Sequence, residues 1–335
     1  MPDPSLLGVW VRRFLLEHLV SERNLARNTQ QSYRDTLALL LPFAATQQKR
    51  AVDRLLVCDL SSDTLKRFLD SLERQRNCSI RTRNQRLSAI HAMARFIAER
   101  SPEHIEWCNE IRSVPFKRFN RPTLPYLDKL EIDALLAAPD RGTSQGRRDH
   151  AVLLFLYNSG ARATETACLR VEDLDLRPGG INAIKLNGKG GKTRFCPLWA
   201  TTAKELLTLT QNRTPDQSVF LNRLGQAITR HGIYAILRRY VVKAAANCPS
   251  LLRKRISPHT VRHTTATHLL RSGVDINTIR SWLGHVSIDT TNIYAETDLE
   301  QKAHILAHCG SFQVESSHRK HWRDEPSLMS FLRSL

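Results

Sequence analysis

His259, Arg262, His285 and Tyr294 fall inside residues 257–297, the arginine three positions after the first histidine, the second histidine 23 after the arginine and the tyrosine nine after that. A phenol becomes a nucleophile once its proton is taken, and an imidazole titrates near neutrality and can take it. A guanidinium keeps its charge and offers an oxyanion a planar fork of donors. Together these are the parts for covalent attack by a tyrosine on a bound oxyanion. Taken singly, a helical histidine is most often a core or surface residue and an arginine a solvated charge. The set at this spacing is not explained that way.

Three short, closely linked helices would have to bring these groups together. Ser257 can cap a first helix with Pro258 in its opening turn, running to about Ser272 and stopping at Gly273. His259 and Arg262 then share a face, because residues three apart on a helix are neighbours. Asp275 can cap a second helix, Ile276 to Leu283, which ends at Gly284 before His285. A third starts near Ser287 and carries Tyr294 about two turns on, so the four side chains converge if the chain folds back.

His259-Thr260-Val261-Arg262, Leu283-Gly284-His285 and Thr290-Thr291-Asn292-Ile293-Tyr294 resemble the C-terminal signature of the tyrosine recombinases, the phage-integrase and Xer-like site-specific recombinases. Gly160-Ala161-Arg162-Ala163-Thr164-Glu165 resembles the family's first motif, Gly-x-Arg-x-x-Glu. Without the resemblance it is a common helix restart whose N-terminal N–H groups suit phosphate. A hairpin is expected over 181–197, with Asn187-Gly188-Lys189-Gly190-Gly191-Lys192 at its tip. In the family this hairpin carries a catalytic lysine; Lys189 matches that place, and Lys192 is the second candidate.

Metal-free cleavage of a phosphodiester needs an in-line nucleophile, cations on the non-bridging oxygens and a proton donor for the departing oxygen. The resemblance implies Tyr294 as nucleophile, forming a 3′-phosphotyrosyl link and freeing a 5′ hydroxyl. Arg162 and Arg262 would clamp the phosphate, with a further hydrogen bond from His285. His259 would take the phenol proton, Lys189 would protonate the leaving oxygen and Glu165 would orient the site. No cofactor and no metal is expected.

The chain has 335 residues, 50 lysines and arginines against 32 acids, a net charge of +18 and a pI near 10.1. A polyanionic partner is the simplest cause of such an excess. It is spread over both halves, +8 in residues 1–125 and +10 in 126–335. Seven scattered cysteines without a C-x-x-C pair argue against a disulfide framework and for a reducing cytoplasm, with bacterial nucleoid association implied by the family. No apolar run approaches membrane-spanning length and no signal pattern opens the chain.

Residues 1–111 read as a helical domain. Leu6, Leu7, Trp10, Phe14 and Leu15 recur at helical spacing, then Tyr33, Leu37, Leu40 and Leu41, then Leu65, Phe68, Leu69 and Leu72. A fourth helix, Arg74 to Ala98, holds six arginines and no acid. Arg74, Arg76, Arg81, Arg83 and Arg86 are its candidate contacts to backbone phosphates. By size and position this domain resembles the family's SAM-like core-binding domain. Residues 112–126, with three prolines and four basic residues, read as an extended basic linker in which Lys117 and Arg118 face DNA.

Residues 127–310 form the mixed α/β catalytic domain, with Arg230 a further DNA contact on a helix over about 227–246. Residues 311–335 lie beyond the motifs and are expected to end in a short apolar helix that could dock on a neighbouring subunit, as in the family, or equally pack against its own chain. The whole is mainly α with a small β-hairpin or sheet, in two domains. The implied partner is a double-stranded recombination site held by a homo-tetramer or a mixed tetramer, with no membrane. Two rivals share the constellation: a type IB topoisomerase and a DNA-binding relative without catalysis. A metal hydrolase, suggested by His259 and His263 at i, i+4 and by His304, His308 and Cys309, lacks the glutamate of His-Glu-x-x-His.

Overall fold

Two units divide the chain, Met1–Pro122 and Thr123–Leu335, in a computed structural model that describes residues 5–119, 125–176, 180–188 and 191–284. In the first unit, α1 (Leu7–Arg13) continues as a π-helical turn, Phe14–Glu22, and α2 (Arg27–Gln48) carries Pro42 within it. Then come α3 (Ser62–Arg74), α4 (Ile80–Ala98) and α5 (Ile105–Ser113). Ser61 and Ser79 start α3 and α4, each hydroxyl accepting from the N–H three residues on. The apolar stripes meet in a core containing Phe14, Leu40, Phe68, Ile90 and Phe96.

The arginine-rich stretch is divided where one helix is expected. Arg74 ends α3, Asn77 turns the chain at φ +50°, and α4 restarts behind the Ser79 cap. A left-handed residue followed by a serine cap ends one helix and begins another whatever the charge pattern. Arg83 is also not a surface cation. It is 5% exposed and donates from Nη1 to the Pro115 carbonyl at 2.8 Å. Beside it the Asn84 amide donates to the Lys117 carbonyl at 2.7 Å and accepts from the Lys117 N–H at 3.1 Å. The first part of the expected linker is thus continuous with α5 and bonded to α4.

The second unit begins with α6 (Lys129–Ala137), opened by a reciprocal capping box between Asp128 and Glu131. Next, α7 (Ser144–Ser159) starts a turn before the expected Arg148, because Thr143 Oγ1 accepts from the Gly146 N–H at 3.0 Å. A short α8 (Ala163–Ala167) leads to an antiparallel sheet of β1 (Leu174–Asp175), β2 (Ala183–Asn187) and β3 (Thr193–Pro197), in that order. β2 and β3 are the expected hairpin; the two-residue β1 is too short to show a period. Then follow α9 (Ala200–Thr210), α10 (Arg230–Ala244), α11 (Pro258–Arg271) and α12 (Ile276–Leu283). The architecture is mainly helical with a small sheet, as the patterning implies.

Central to this unit is the packing of α7, whose Phe155 is fully buried, with Phe220 edge-on at 5.5 Å between ring centroids. α7 also holds α11: Thr265 Oγ1 donates to the Tyr157 carbonyl at 2.7 Å, and the Tyr157 hydroxyl meets His268 Nδ1 at 2.7 Å. Emptying a buried phenylalanine site costs about 3–5 kcal/mol. Phe155→Ala is therefore expected to lower the unfolding free energy by about that much in urea titrations. A loss under about 1 kcal/mol would mean that this contact does not organise the unit.

Candidate active site

The centre of the site is a buried carboxylate. α7 ends at Gly160, φ +57°, where a Cβ would lie 2.5 Å from Leu283 Cδ2, so both the left-handed turn and the close approach require glycine. Arg162 then caps α8, and Glu165 one turn on reaches back: its Oε2 accepts from the Arg162 N–H at 2.9 Å, its Oε1 from Arg162 Nη1 at 2.6 Å. Arg194 approaches Glu165 from β3, Nη1 to Oε1 at 3.1 Å and Nη2 to Oε2 at 2.7 Å. Glu165 is 7% exposed. Burial by itself would push its carboxyl up. The Arg194 hydrogen bonds, the Arg162 N–H and the guanidinium charges outweigh that and hold it at about 2.

Arg262, on α11, is 4% exposed and donates from Nη1 to the Gly160 carbonyl at 2.7 Å and from Nη2 to the Leu283 carbonyl at 2.6 Å. An arginine 100 residues away in sequence is thus fastened two residues before Arg162. His259, one turn before Arg262, is open at its surface. Desolvation of its ring, then the charges of Arg262 and Arg162, lower its pKa below the ordinary histidine value. One turn on, His263 is pushed down to about 4 by burial, His259 and Arg262. In both rings the neutral form is favoured. Among the described residues no group of three or more His, Cys, Asp or Glu could hold a metal ion.

Arg162, Glu165, His259 and Arg262 are therefore brought into one neighbourhood by α7, α8 and α11. Lys192 is exposed beside the hairpin tip, its carbonyl accepting from the Gly188 N–H at 2.7 Å. Lys189, His285 and Tyr294 lie outside the described residues. Of the cations assigned to DNA, Arg74, Arg76, Arg81, Lys117, Arg118 and Arg230 are exposed, Arg86 is half-buried beside Cys78, and Arg83 is interior. Lys117 reaches Glu73 at 2.8 Å.

Sequence reasoning missed Arg194. The signal was present in the strand alternation, since Arg194 and Cys196 share one face of β3, and the positions they pair with on β2, Leu186 and Ile184, are core residues. An arginine on a buried strand face needs acceptors for its donors, and Glu165 and the Trp282 carbonyl supply them.

Residues 125–301 match the phage integrase family, and residues 12–101 match the N-terminal SAM-like domain of phage integrases. The chain is 38% identical over its full length to y4rC of Sinorhizobium fredii, provisionally named an integrase/recombinase, covering all of that protein. It is 32% identical to the tyrosine recombinase XerD of Ralstonia nicotianae, over 90% of this chain and 94% of that one. In fold it is similar to the XerH site-specific recombinase crystallised on its difH substrate, TM-score 0.65 at 20% identity, over 85% of this chain and 81% of the other. The chain belongs to the phage integrase family, the tyrosine recombinases, and its enzyme class is that of the site-specific DNA recombinases. No described helix is long and apolar enough to cross a membrane.

The Glu165 carboxyl, lowered from 4.5 to about 2, contributes stability that is present above pH 4.5 and lost as pH falls towards 2. A depression of that size corresponds to about 3 kcal/mol. Glu165→Gln is expected to be less stable than wild type by about this amount at pH 7, with the gap closing between pH 4.5 and pH 2 in denaturant titrations. A gap independent of pH would show that the carboxylate charge is not what holds the arginines.

Proposed function

We propose that this recombinase cuts and rejoins DNA through a phosphotyrosyl intermediate at Tyr294. The phenolate oxygen forms a bond to the scissile phosphorus as the bond from phosphorus to the 5′ oxygen breaks, leaving the DNA 3′ phosphate on the tyrosine and a free 5′ hydroxyl. Because the phosphodiester is exchanged for a phosphotyrosyl ester, a second strand's 5′ hydroxyl reverses the step without ATP. His259 takes the phenol proton, and its lowered pKa keeps the ring neutral and able to accept. Lys189, with Lys192 as the alternative, gives a proton to the leaving oxygen, and His285 donates to the phosphate.

One observation carries this reading: the fastening of Arg262 to the Gly160 carbonyl, two residues before Arg162 and one turn from a neutral His259. Two guanidiniums held before substrate arrives need little reorganisation to stabilise charge on non-bridging oxygens. Glu165 orients Arg162 rather than moving protons, since a carboxyl held at about 2 is a poor base.

Residues 1–111 act as the core-binding domain and 127–310 as the catalytic domain, with 112–126 linking them. Arg74, Arg76, Arg81, Arg86, Lys117, Arg118 and Arg230 contact phosphates; Arg83 contributes indirectly by holding Pro115. Exchange between two duplexes calls for a tetramer, of this chain or with related recombinases. The work is done in the cytoplasm, on the nucleoid. The full-length match to y4rC, including the N-terminal unit, favours recombinase over a topoisomerase that relaxes single strands.

Tyr294→Phe is expected to bind a nicked suicide duplex as wild type does and to form no covalent adduct on a denaturing gel; an adduct in that variant would refute the nucleophile. Arg162→Ala and Arg262→Ala should each slow cleavage by about 100-fold or more, roughly 3 kcal/mol, with a much smaller loss of affinity. Unchanged turnover in either would remove that arginine from the clamp.

A further inference from the structure

We infer that Arg194 is a positioning residue of the cleavage reaction, acting through Glu165 and the end of α12 to fix the Arg162 guanidinium where the phosphate must sit. The inference rests on the recombinase reading above and adds a residue that the motifs do not contain.

The geometry is a closed set of bonds. Each Glu165 oxygen accepts once from Arg162 and once from Arg194. The parallel bonds from the Arg194 fork set the plane of the carboxylate, and that plane sets the direction of Arg162 Nη1. Arg194 Nε donates to the Trp282 carbonyl at 2.9 Å, next to the Leu283 carbonyl held by Arg262 Nη2 at 2.6 Å. The last two carbonyls of α12, which a helix leaves without intrahelical partners, are thus taken by guanidiniums from β3 and α11. Gly284 follows at φ +66°, and a Cβ there would lie 2.9 Å from Arg194 Cδ, so the arginine stem lies along the backbone immediately before His285.

Charge points the same way. Without Arg194, two guanidiniums, those of Arg162 and Arg262, would stand against one carboxylate; Arg194 makes it three against one, raising the positive field offered to a phosphate. The Arg194 side chain is 9% exposed and that of Arg162 29%. Arg194 Nε, Nη1 and Nη2 are all engaged with the Trp282 carbonyl and Glu165, so Arg194 works from behind Arg162. A lysine at 194 would keep the charge but lose the fork and the third donor.

The test measures the first-order rate of adduct formation at saturating suicide duplex, the dissociation constant and the melting temperature for Arg194→Lys, Arg194→Met, Glu165→Gln and Arg194→Met/Glu165→Gln. Arg194→Lys is expected to melt near wild type and bind DNA within about 3-fold, while cleaving about 10-fold more slowly at saturation; Arg194→Met should lose about 100-fold. The double variant should be no slower than the slower single, because both act on Arg162 through one carboxylate. Wild-type cleavage rates in both Arg194 variants, a loss in Arg194→Lys that disappears at saturating DNA, or a double variant slowed by the product of the singles would each overturn the inference. If Arg194→Met fails to fold, the Arg194→Lys rate decides alone. Wild type runs on the same duplex: no adduct there strikes at the cleavage chemistry itself, whereas an adduct there and in every Arg194 variant removes only this assignment.

Discussion

A carboxylate buried between two guanidiniums is the constraint on which the second unit's chemistry depends. Glu165 sits in the interior, where an unpaired charge would cost several kcal/mol, so it must be met by cations. Those available come from its own helix cap and from β3. Meeting that electrostatic requirement fixes α8 against the sheet and turns Arg162 outward. Arg262 completes the frame by a different means, borrowing the Gly160 and Leu283 carbonyls that helix termini leave without partners. Glycine at 160 is what permits this, because a side chain there would occupy the space of Leu283.

The same frame sets the protonation of the neighbouring imidazoles. Desolvation, then the charges of Arg262 and Arg162, favours the neutral form of His259, the state in which a histidine can accept a proton; burial, His259 and Arg262 drive His263 further in that direction. On the proposed reading the two effects are linked: the guanidiniums that would favour a phosphate also help, beside desolvation, to hold a proton off His259. In the first unit, by contrast, charge and fold are partly exchanged. Arg83 lies on an arginine-rich helix but is internal, where it holds the chain segment leaving the unit, while Arg81 on the same helix stays exposed.

Much of the architecture could be read from local rules. Asp128, Ser257 and Asp275 each begin a helix by accepting a backbone N–H, and Gly160 and Gly284 end α7 and α12 in the left-handed region. Reading failed at a few local turns and caps, Asn77, Ser79 and Thr143, and where the deciding contact was not local. The helix expected from Arg74 to Ala98 is two, because Asn77 turns left-handed. β1 was invisible because two residues carry no periodicity. Arg83 was read as a surface cation because its partner, the Pro115 carbonyl, is 32 residues away.

What the sequence alone determined is the inventory of chemistry, a tyrosine, histidines and arginines at spacings that few structural segments share, together with the caps and stops of α11 and α12, which are encoded within a few residues. Such signals are short in range, so they survive without knowledge of the fold. What only the tertiary structure decided is which charges share an environment. The pairing of Glu165 with Arg194, 29 residues apart, and of Arg262 with the Gly160 carbonyl, 102 apart, comes from strand register and helix packing. Burial then turns those pairings from weak surface contacts into strong constraints, because a charge removed from water must be met by whatever the fold has brought beside it.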